Sequence, residues 1–250
     1  MSNQSSQLTS KLVAEFIGTF ALIFIGAGAA AVVGDGAGLN GIGAVAFAHG
    51  LTVMVFAFAS GSVSGAHFTP AVTVGILSAG AISVGEAVGY IVSQLAGGVA
   101  GALLLLEVLG GTATGLGTPA LAHGLALGTT TTLTITPAAG FAIEAVLGFL
   151  LVTVVLNTAV AGRAGNLAPF AIGMTLTLNI IMGGALTGAA FNPARALGPM
   201  VATGQLTDAW LYVLAPIAGA IVAAWVYAGL SRLTRERTTA ARARPASAAG

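Results

Sequence analysis

The sequence has no cysteine and very little charge. Without cysteine among its 250 residues, the chain can form neither a disulfide bond nor a thiolate metal site. Only 6% of the residues are charged, whereas roughly a quarter are charged in a soluble domain. A net charge of +1 also provides no basic surface for nucleic acid. These shortages exclude a disulfide scaffold, an ordinary soluble surface and a nucleic-acid partner.

Apolar residues take the place of the missing charges, at 56% of the chain and a mean hydropathy of +0.99. Runs of about 20 apolar residues are long enough to cross a hydrocarbon core of about 30 Å. Six such runs lie near residues 12–33, 42–61, 85–107, 138–160, 167–187 and 209–230. Two shorter runs, 70–79 and 193–202, cannot span a bilayer, so we predict that they are re-entrant half-helices.

The chain also contains an internal repeat. Glu15 is matched 129 positions later by Glu144, and Thr69 is matched 123 positions later by Asn192. Because each half has three spans, an odd number, the two halves must insert with opposite orientations. We therefore predict an all-α membrane protein with six transmembrane helices, two re-entrant half-helices and an inverted 3+3 repeat.

Both short runs begin with a small polar residue followed by proline, Thr69-Pro70 and Asn192-Pro193. This pattern is typical of a helix N-cap with proline at the first helical position. A helix start inside a membrane must face a cavity, because no lipid can satisfy its N–H groups. The two half-helix starts therefore predict a site at the middle of the bilayer.

Two segments carry a family resemblance: Ser64-Gly65-Ala66-His67-Phe68-Thr69-Pro70-Ala71 and Thr187-Gly188-Ala189-Ala190-Phe191-Asn192-Pro193-Ala194-Arg195. They resemble the paired Asn-Pro-Ala boxes of the aquaporins, the major intrinsic proteins, with Thr69 in place of the usual asparagine. The resemblance runs from about Ala14 to Leu230. It implies a homotetramer with a pore for water in each subunit, and neither an enzyme nor a protein with a cofactor or metal.

The aquaporin-like channel domain is expected to cover residues 12–230. Its repeats cover about 12–108 and 138–230, and an outer segment, 109–137, connects them. Apart from Arg195, the basic residues all fall on one side of a six-span chain: Lys11, Arg163, Arg232, Arg235, Arg237, Arg242 and Arg244. By the positive-inside rule, both termini are expected in the cytoplasm, with the protein in the cell membrane. Residues 1–11 then form the cytoplasmic N-terminus, and 231–250 a cytoplasmic tail without fixed structure.

The two boxes are expected to form the central constriction of the pore, with Thr69, Pro70, Ala71, Asn192, Pro193 and Ala194 as its residues. Each half-helix has about half a positive charge at its N-terminus, which opposes cations and protons. The Asn192 amide can donate to a passing water while its oxygen caps the helix. Thr69 can also cap its helix, but its hydroxyl has one proton to donate instead of two.

The family pattern locates an outer selectivity filter at His49, Ile180, Ala189 and Arg195, a set that resembles the filters of plant tonoplast intrinsic proteins. Arg195 supplies a permanent positive charge, and His49 supplies a polar partner that responds to pH. Such a filter is expected to pass water and also ammonia, urea or hydrogen peroxide. His123 resembles a loop histidine that joins the filter in some tonoplast relatives, although a solvated loop histidine is an equal alternative.

Other polar residues are expected to support the pore. Glu15 and Glu144 should accept hydrogen bonds from the backbone of the re-entrant loops, and His67 should fix the first loop. Asn157 and Asn179 are expected to form hydrogen bonds between helices.

Three other functions compete with a water channel. The first is a facilitator of glycerol or small polyols, which Ala196 disfavours because those relatives carry aspartate there; Tyr212 also resembles water channels. The second is a non-conducting structural membrane protein. The third is an intramembrane enzyme, for which the sequence offers no carboxylate pair, metal cluster or convincing serine–histidine pair.

Overall fold

The computed structural model describes residues 2–34, 41–127 and 129–243, with side chains described for 6–33, 41–126 and 129–232. Helices dominate these residues. They are α1 (Ser2–Ala21), α2 (Ile42–Ser64), α3 (Pro70–Ser78), α4 (Val84–Val108), α5 (Pro137–Val155), α6 (Ala168–Thr187), α7 (Pro193–Thr203) and α8 (Ala209–Ala243). α1 continues through two π-helical turns, Leu22–Ala27 and Ala30–Gly34, and α5 continues through another, Leu156–Val160.

Six of these segments are long and apolar enough to cross a membrane. They cover Ser6–Val33, Ile42–Ser64, Val84–Val108, Pro137–Val160, Gly165–Thr187 and Ala209–Arg232. α3 and α7, with 9 and 11 residues, are too short to cross and lie between the spans. The predicted fold class, six transmembrane helices with two half-helices, is confirmed.

The two halves of the chain pack in the same way. α1 packs against α4 in the first half as α5 packs against α8 in the second. Each half-helix crosses to the other half, α3 against α8 and α7 against α4, while α2 and α6 meet at the interface between the halves. This exchange brings the N-termini of α3 and α7 to the centre of the molecule.

Glycine allows α2 and α6 to approach each other closely. A Cβ atom on Gly173 would lie only 2.5 Å from the carbonyl oxygen of Gly50, and the reverse distance is also 2.5 Å. Contacts between backbones at small residues are a common way to pack membrane helices. α2 and α6 then end at Gly65 and Gly188, which adopt φ values of 85° and 78° and turn the chain into the two boxes.

The outer segment 109–137, for which the sequence predicts no conformation, contains a 3₁₀ turn, Gly115–Gly117, and an antiparallel hairpin of β1 (Leu125–Leu127) and β2 (Thr131–Leu133). Ala126 pairs with Thr132 at the middle of the hairpin. The Ala122 N–H donates to the Leu186 carbonyl of α6, which ties this segment to the second half.

The last helix extends beyond the predicted channel domain. α8 continues to Ala243, whereas the sequence predicts a tail without fixed structure from residue 231, and that expectation stays a prediction. Alanine, arginine and glutamate in this stretch are strong helix formers, and they extend the helix after the apolar span ends. Residues 244–250 lie outside the described residues.

Candidate functional site

The two half-helices begin with matching caps. Thr69 and Asn192 both have extended backbones with φ near −150°. The Thr69 hydroxyl accepts a hydrogen bond from Ala71 N at 3.2 Å. The Asn192 side-chain oxygen accepts from Ala194 N and Arg195 N, at 2.9 and 3.3 Å. These caps satisfy part of each helix N-terminus, and a proline follows each of them at the start of the helix.

A side chain joins the two boxes directly. The Asn192 amide donates to the Phe68 carbonyl oxygen at 3.1 Å, and the Thr19 hydroxyl donates to the same oxygen at 3.3 Å. The first residue of one box therefore contacts the loop of the other. Since each helix N-terminus has a partial positive charge, two positive ends lie at one place inside the protein.

A buried carboxylate in α1 holds the first loop. Glu15 accepts hydrogen bonds from the backbone N–H groups of His67 and Phe68 at 2.9 and 2.7 Å. It also accepts from the Ser64 hydroxyl and the Gln94 amide, each at 2.7 Å. Four donors on one carboxylate compensate for its burial and fix the loop that precedes Thr69.

Glu144 in α5 holds the second loop in the same manner. It accepts from Ala190 N at 3.0 Å, from Phe191 N, and from the Thr187 hydroxyl at 2.6 Å. A tyrosine hydroxyl completes each loop: Tyr90 donates to the Ser64 carbonyl at 2.7 Å, and Tyr212 donates to the Thr187 carbonyl at 2.8 Å. The inverted repeat therefore extends to individual hydrogen bonds.

The first half has a chain of hydrogen-bonded polar side chains, His67, Thr73 and Gln94, here called the polar relay, that the second half lacks. His67 Nδ1 lies 3.1 Å from the Thr73 hydroxyl, which accepts from the Gln94 amide at 2.9 Å. At the positions of His67 and Thr73, 123 residues later, the second half has Ala190 and Ala196. The His67 ring also packs edge-on against Tyr90, with 4.9 Å between ring centres. The relay makes the loop before Thr69 more polar than its counterpart.

Three cavities follow one another through the protein. The first, lined by Lys11 and called the inner vestibule, has about 840 Å³ of space open to water-sized molecules. The central passage has about 20 Å³. The third, lined by Thr118 and called the outer vestibule, has about 250 Å³. Ala66 and His67 line both the inner vestibule and the passage, whereas His49, Ile180 and Arg195 line both the passage and the outer vestibule. A water needs about 10–15 Å³ of such space, so the passage has space for one or two waters.

The passage is narrow because buried side chains from distant segments meet there. His49 and Arg195 are 2% and 4% exposed, and Ile180 and Ala189 are also buried. His49 Nδ1 lies 2.9 Å from the Val45 carbonyl oxygen, so Nδ1 has the proton and Nε2 is an acceptor. Arg195 Nη1 donates to the Gly117 carbonyl at 2.7 Å. Within the described residues, His49 Nε2 and Arg195 Nε have no hydrogen-bond partner.

Comparison with known proteins identifies the family. The sequence model described as "Major intrinsic protein" matches residues 2–227 of this chain. The chain belongs to the major intrinsic protein family. Family membership agrees with the paired boxes, the six spans and the crossed half-helices.

Two kinds of relative are among the proteins that match this chain. Aquaporin NIP1-2 of Oryza sativa subsp. japonica is 38% identical over 86% of this chain and 70% of its own length. Nodulin-26 of Glycine max is 38% identical over 87% and 76%. Glycerol uptake facilitator protein-like 6 of Lactiplantibacillus plantarum is 38% identical over 86% and 95%. These relatives are nodulin-26-type channels and a glycerol facilitator, so they do not support the predicted resemblance of the filter to tonoplast proteins.

A solved structure supports the same fold. The X-ray structure of the aquaglyceroporin from Plasmodium falciparum matches with a TM-score of 0.75 and 25% identity, over 88% of this chain and 95% of that one. The chain is thus a membrane channel protein of the major intrinsic protein family, and not a member of an enzyme family.

The structure separates the predicted box residues into two groups. Thr69 and Asn192 line the passage, whereas the proline and alanine of each box do not. Pro70, Ala71, Pro193 and Ala194 are buried in the first turns of α3 and α7. These four residues form the helix starts behind Thr69 and Asn192, and the part of all six in a central constriction stays a prediction.

Three further polar residues lie away from the passage. His123 is exposed and lines neither the passage nor the outer vestibule, as the alternative of a solvated loop histidine predicts; its place in an extended filter stays a prediction. Asn179 donates to the Leu147 carbonyl across α6 and α5, as expected. Asn157 instead donates to Thr153 in its own helix and accepts from Arg163, because it lies in the last turn of its span.

Several site residues are absent from the sequence-based prediction. Ser64, Tyr90 and Gln94 contact the first loop, and Gly117 accepts from Arg195. Ser64 could have been found, because Thr187 occupies its place in the second box 123 positions later. Gly117 has no comparable signal. Among the described residues, no three histidine or acidic side chains come together as a metal site would require.

Proposed function

We propose that the protein is a passive channel for water and small uncharged solutes that excludes ions and protons. The observation that carries this proposal is the narrow passage between two vestibules, with two helix N-termini and a buried arginine along it. Transport without chemical turnover is the activity proposed.

Exclusion of cations follows from fixed positive charge. A cation in the passage faces the N-termini of α3 and α7 and the guanidinium of Arg195. It also loses most of its hydration, which is costly in a narrow apolar passage. A neutral water avoids both penalties. Protons are opposed in the same way, and the Asn192 amide orients the waters so that a continuous chain of proton hops is broken.

The outer end of the passage supports selectivity by hydrogen bonding as well as by size. His49 Nε2 offers an acceptor and Arg195 Nε offers a donor, both otherwise without a partner in the described residues. A solute that donates to one and accepts from the other crosses with its lost hydration partly replaced. Water, ammonia, urea and hydrogen peroxide have this chemistry. Ile180 and Ala189 supply apolar walls, as in the tonoplast-like filter that the sequence resembles.

Glycerol conduction is a second candidate, because relatives named as a glycerol facilitator and an aquaglyceroporin match this chain. The central space of about 20 Å³ favours water over a three-carbon polyol. Ala196, completely buried beside Arg195, supplies no acidic acceptor next to that arginine. We therefore rank glycerol below water.

The surroundings of the channel are part of the proposal. Lys11, Gly165 and Asn166 line the same inner vestibule, and basic residues are expected on the cytoplasmic side. Both termini are then cytoplasmic, in the cell membrane. A homotetramer, as the family resemblance implies, is the proposed assembly.

Stopped-flow light scattering on proteoliposomes tests this function with water, urea, glycerol and ammonia. We expect fast water flux, slow glycerol flux, and a lower ratio of ammonia to water permeability in His49→Phe, because phenylalanine removes the acceptor. His123→Phe is the matched control and should equal wild type, since His123 is exposed outside the passage. Fast glycerol flux would favour the second candidate. Negligible flux of every solute by folded protein would indicate a structural role.

A further inference from the structure

A π-helical turn that continues α1 lies next to the residues at the outer end of the passage. Over Leu22–Ala27 the helix leaves its α-helical hydrogen-bonding pattern, and Leu22 lines the passage. π-helical turns inside α-helices are rare and occur frequently at functional sites. None of the filter residues expected from the sequence lies in this turn, so the predicted filter does not account for it.

The turn places a glycine against the His49 ring. A Cβ atom on Gly26 would lie 2.6 Å from His49 Cδ2 and 2.8 Å from His49 Nε2, closer than side chains can come. The backbone of α1 thus lies in direct contact with the ring on one side. His49 also lines the passage, so the open space beside the ring is the passage itself.

The same turn supports the other polar residue of the constriction. A Cβ atom on Gly117 would lie 2.5 Å from the Ala27 carbonyl oxygen, so the loop at Gly117 packs on the backbone of the turn. The Gly117 carbonyl accepts the 2.7 Å hydrogen bond from Arg195. Two consecutive residues of the π-helical turn therefore pack against the constriction: Gly26 lies against the His49 ring, and Ala27 lies against Gly117, the partner of Arg195.

We infer that Gly26, presented by the π-helical turn Leu22–Ala27, is a positioning residue that sets the width and polarity of the outer constriction through His49. Without a side chain at position 26, the ring lies against α1 and leaves the passage open. With a side chain at position 26, the His49 ring must move away from α1 into the passage, and its Nε2 atom moves with it. This inference rests on the proposed channel function.

Gly26→Ala tests the inference in proteoliposomes reconstituted with equal amounts of monodisperse protein. We expect a severalfold fall in osmotic water permeability, because the displaced ring occupies a passage with space for single waters. Gly28→Ala, in the same helix, is the matched control. Its Cβ atom would meet only the end of the Leu105 side chain, at 3.1 Å from Cδ2, which can move, so its permeability should equal wild type.

A double variant distinguishes positioning from general damage to packing. In a His49→Ala background the ring is gone, so adding Gly26→Ala should cause no further change. An equal loss in both backgrounds, or wild-type flux in Gly26→Ala, would overturn the inference while leaving the channel function intact. If wild-type vesicles conduct no faster than empty ones, the proposed function and this inference both fail.

Discussion

His49 and Arg195 each have one polar atom in a hydrogen bond with the protein and another without a partner in the described residues. His49 Nδ1 is held by Val45, and Arg195 Nη1 is held by Gly117. His49 Nε2 and Arg195 Nε are buried without a partner in the described part of the chain. A buried polar atom without a hydrogen bond is costly, so in the proposed channel we expect a passing solute to supply the missing partner of each residue.

Thr69 is the residue at which the two boxes differ most clearly. Its hydroxyl caps α3 through Ala71 N, as the Asn192 oxygen caps α7 through Ala194 N. The cap is therefore retained, and only the number of protons available to a passing water is reduced. The positive helix end that opposes protons does not depend on this side chain.

We predict that Thr69→Asn leaves proton exclusion unchanged and changes water permeability by less than about threefold, well under the tenfold that corresponds to about 1.4 kcal/mol. The measurement is the decay of a pH gradient, followed with an internal dye, alongside stopped-flow shrinkage of the same vesicles. Faster decay of the gradient in wild type than in Thr69→Asn would show that threonine compromises exclusion.

Two carboxylates from other helices hold the loops that precede the two half-helices. Glu15 in α1 and Glu144 in α5 each bind two consecutive backbone N–H groups of a re-entrant loop. These loops include Phe68 and Phe191 with positive φ values of 54° and 30°. Such conformations are unfavourable for phenylalanine, so external acceptors are needed to hold them.

Glu144→Gln is predicted to lower the free energy of unfolding. An amide has one acceptor oxygen instead of two, so a buried N–H of Ala190 or Phe191 loses its partner, at a cost of about 1–3 kcal/mol. The fall should appear as a lower midpoint in thermal unfolding of detergent-solubilised protein. Glu107→Gln, at an exposed site near the end of α4, is the control. A midpoint for Glu144→Gln equal to that of the control would contradict this role.

The elements could be predicted from the sequence because their signals are local. Apolar length determines the six spans, and a cap followed by proline marks Pro70 and Pro193 as half-helix starts. The relation between halves follows from matched residues such as Glu15 and Glu144. The hairpin of the outer segment and the helix beyond residue 230 were not predicted, since short strands depend on pairing and the tail lacks an apolar face.

Contacts between distant segments could not be read in the same way. Gln94 reaches Glu15, and Gly117 reaches Arg195, across 79 and 78 positions of sequence. Neither residue type indicates a partner by itself. The family pattern located His49 and Arg195, but the glycine behind His49 becomes visible only when α1 is packed against α2.

For the whole molecule, a symmetric scaffold surrounds an asymmetric passage. The repeat gives paired glutamates, tyrosines and half-helices, whereas the residues at the passage differ: Thr69 opposite Asn192, and His67 opposite Ala190. The inner end is lined by His67 and the outer end by His49 and Arg195. In the proposed channel, the scaffold supplies the positive centre, and we expect the differences to supply selectivity at each end.

Orientation in the membrane can be tested because the chain has no cysteine. A single cysteine at Thr112, exposed in the outer segment, should react with a membrane-impermeant maleimide in intact cells. A cysteine at Asn166, exposed beside the inner vestibule, should react only after permeabilisation. The cysteine-free parent provides the background. The opposite labelling pattern would place both termini outside.

In the proposed function, a continuous passage for water crosses this protein. The rate of shrinkage of wild-type proteoliposomes after an osmotic step, compared with empty vesicles of the same lipid and size, tests this passage. We expect severalfold faster shrinkage without any ion or pH gradient, in proportion to the protein incorporated. Shrinkage at the rate of empty vesicles, with folded protein present in the bilayer, would contradict it.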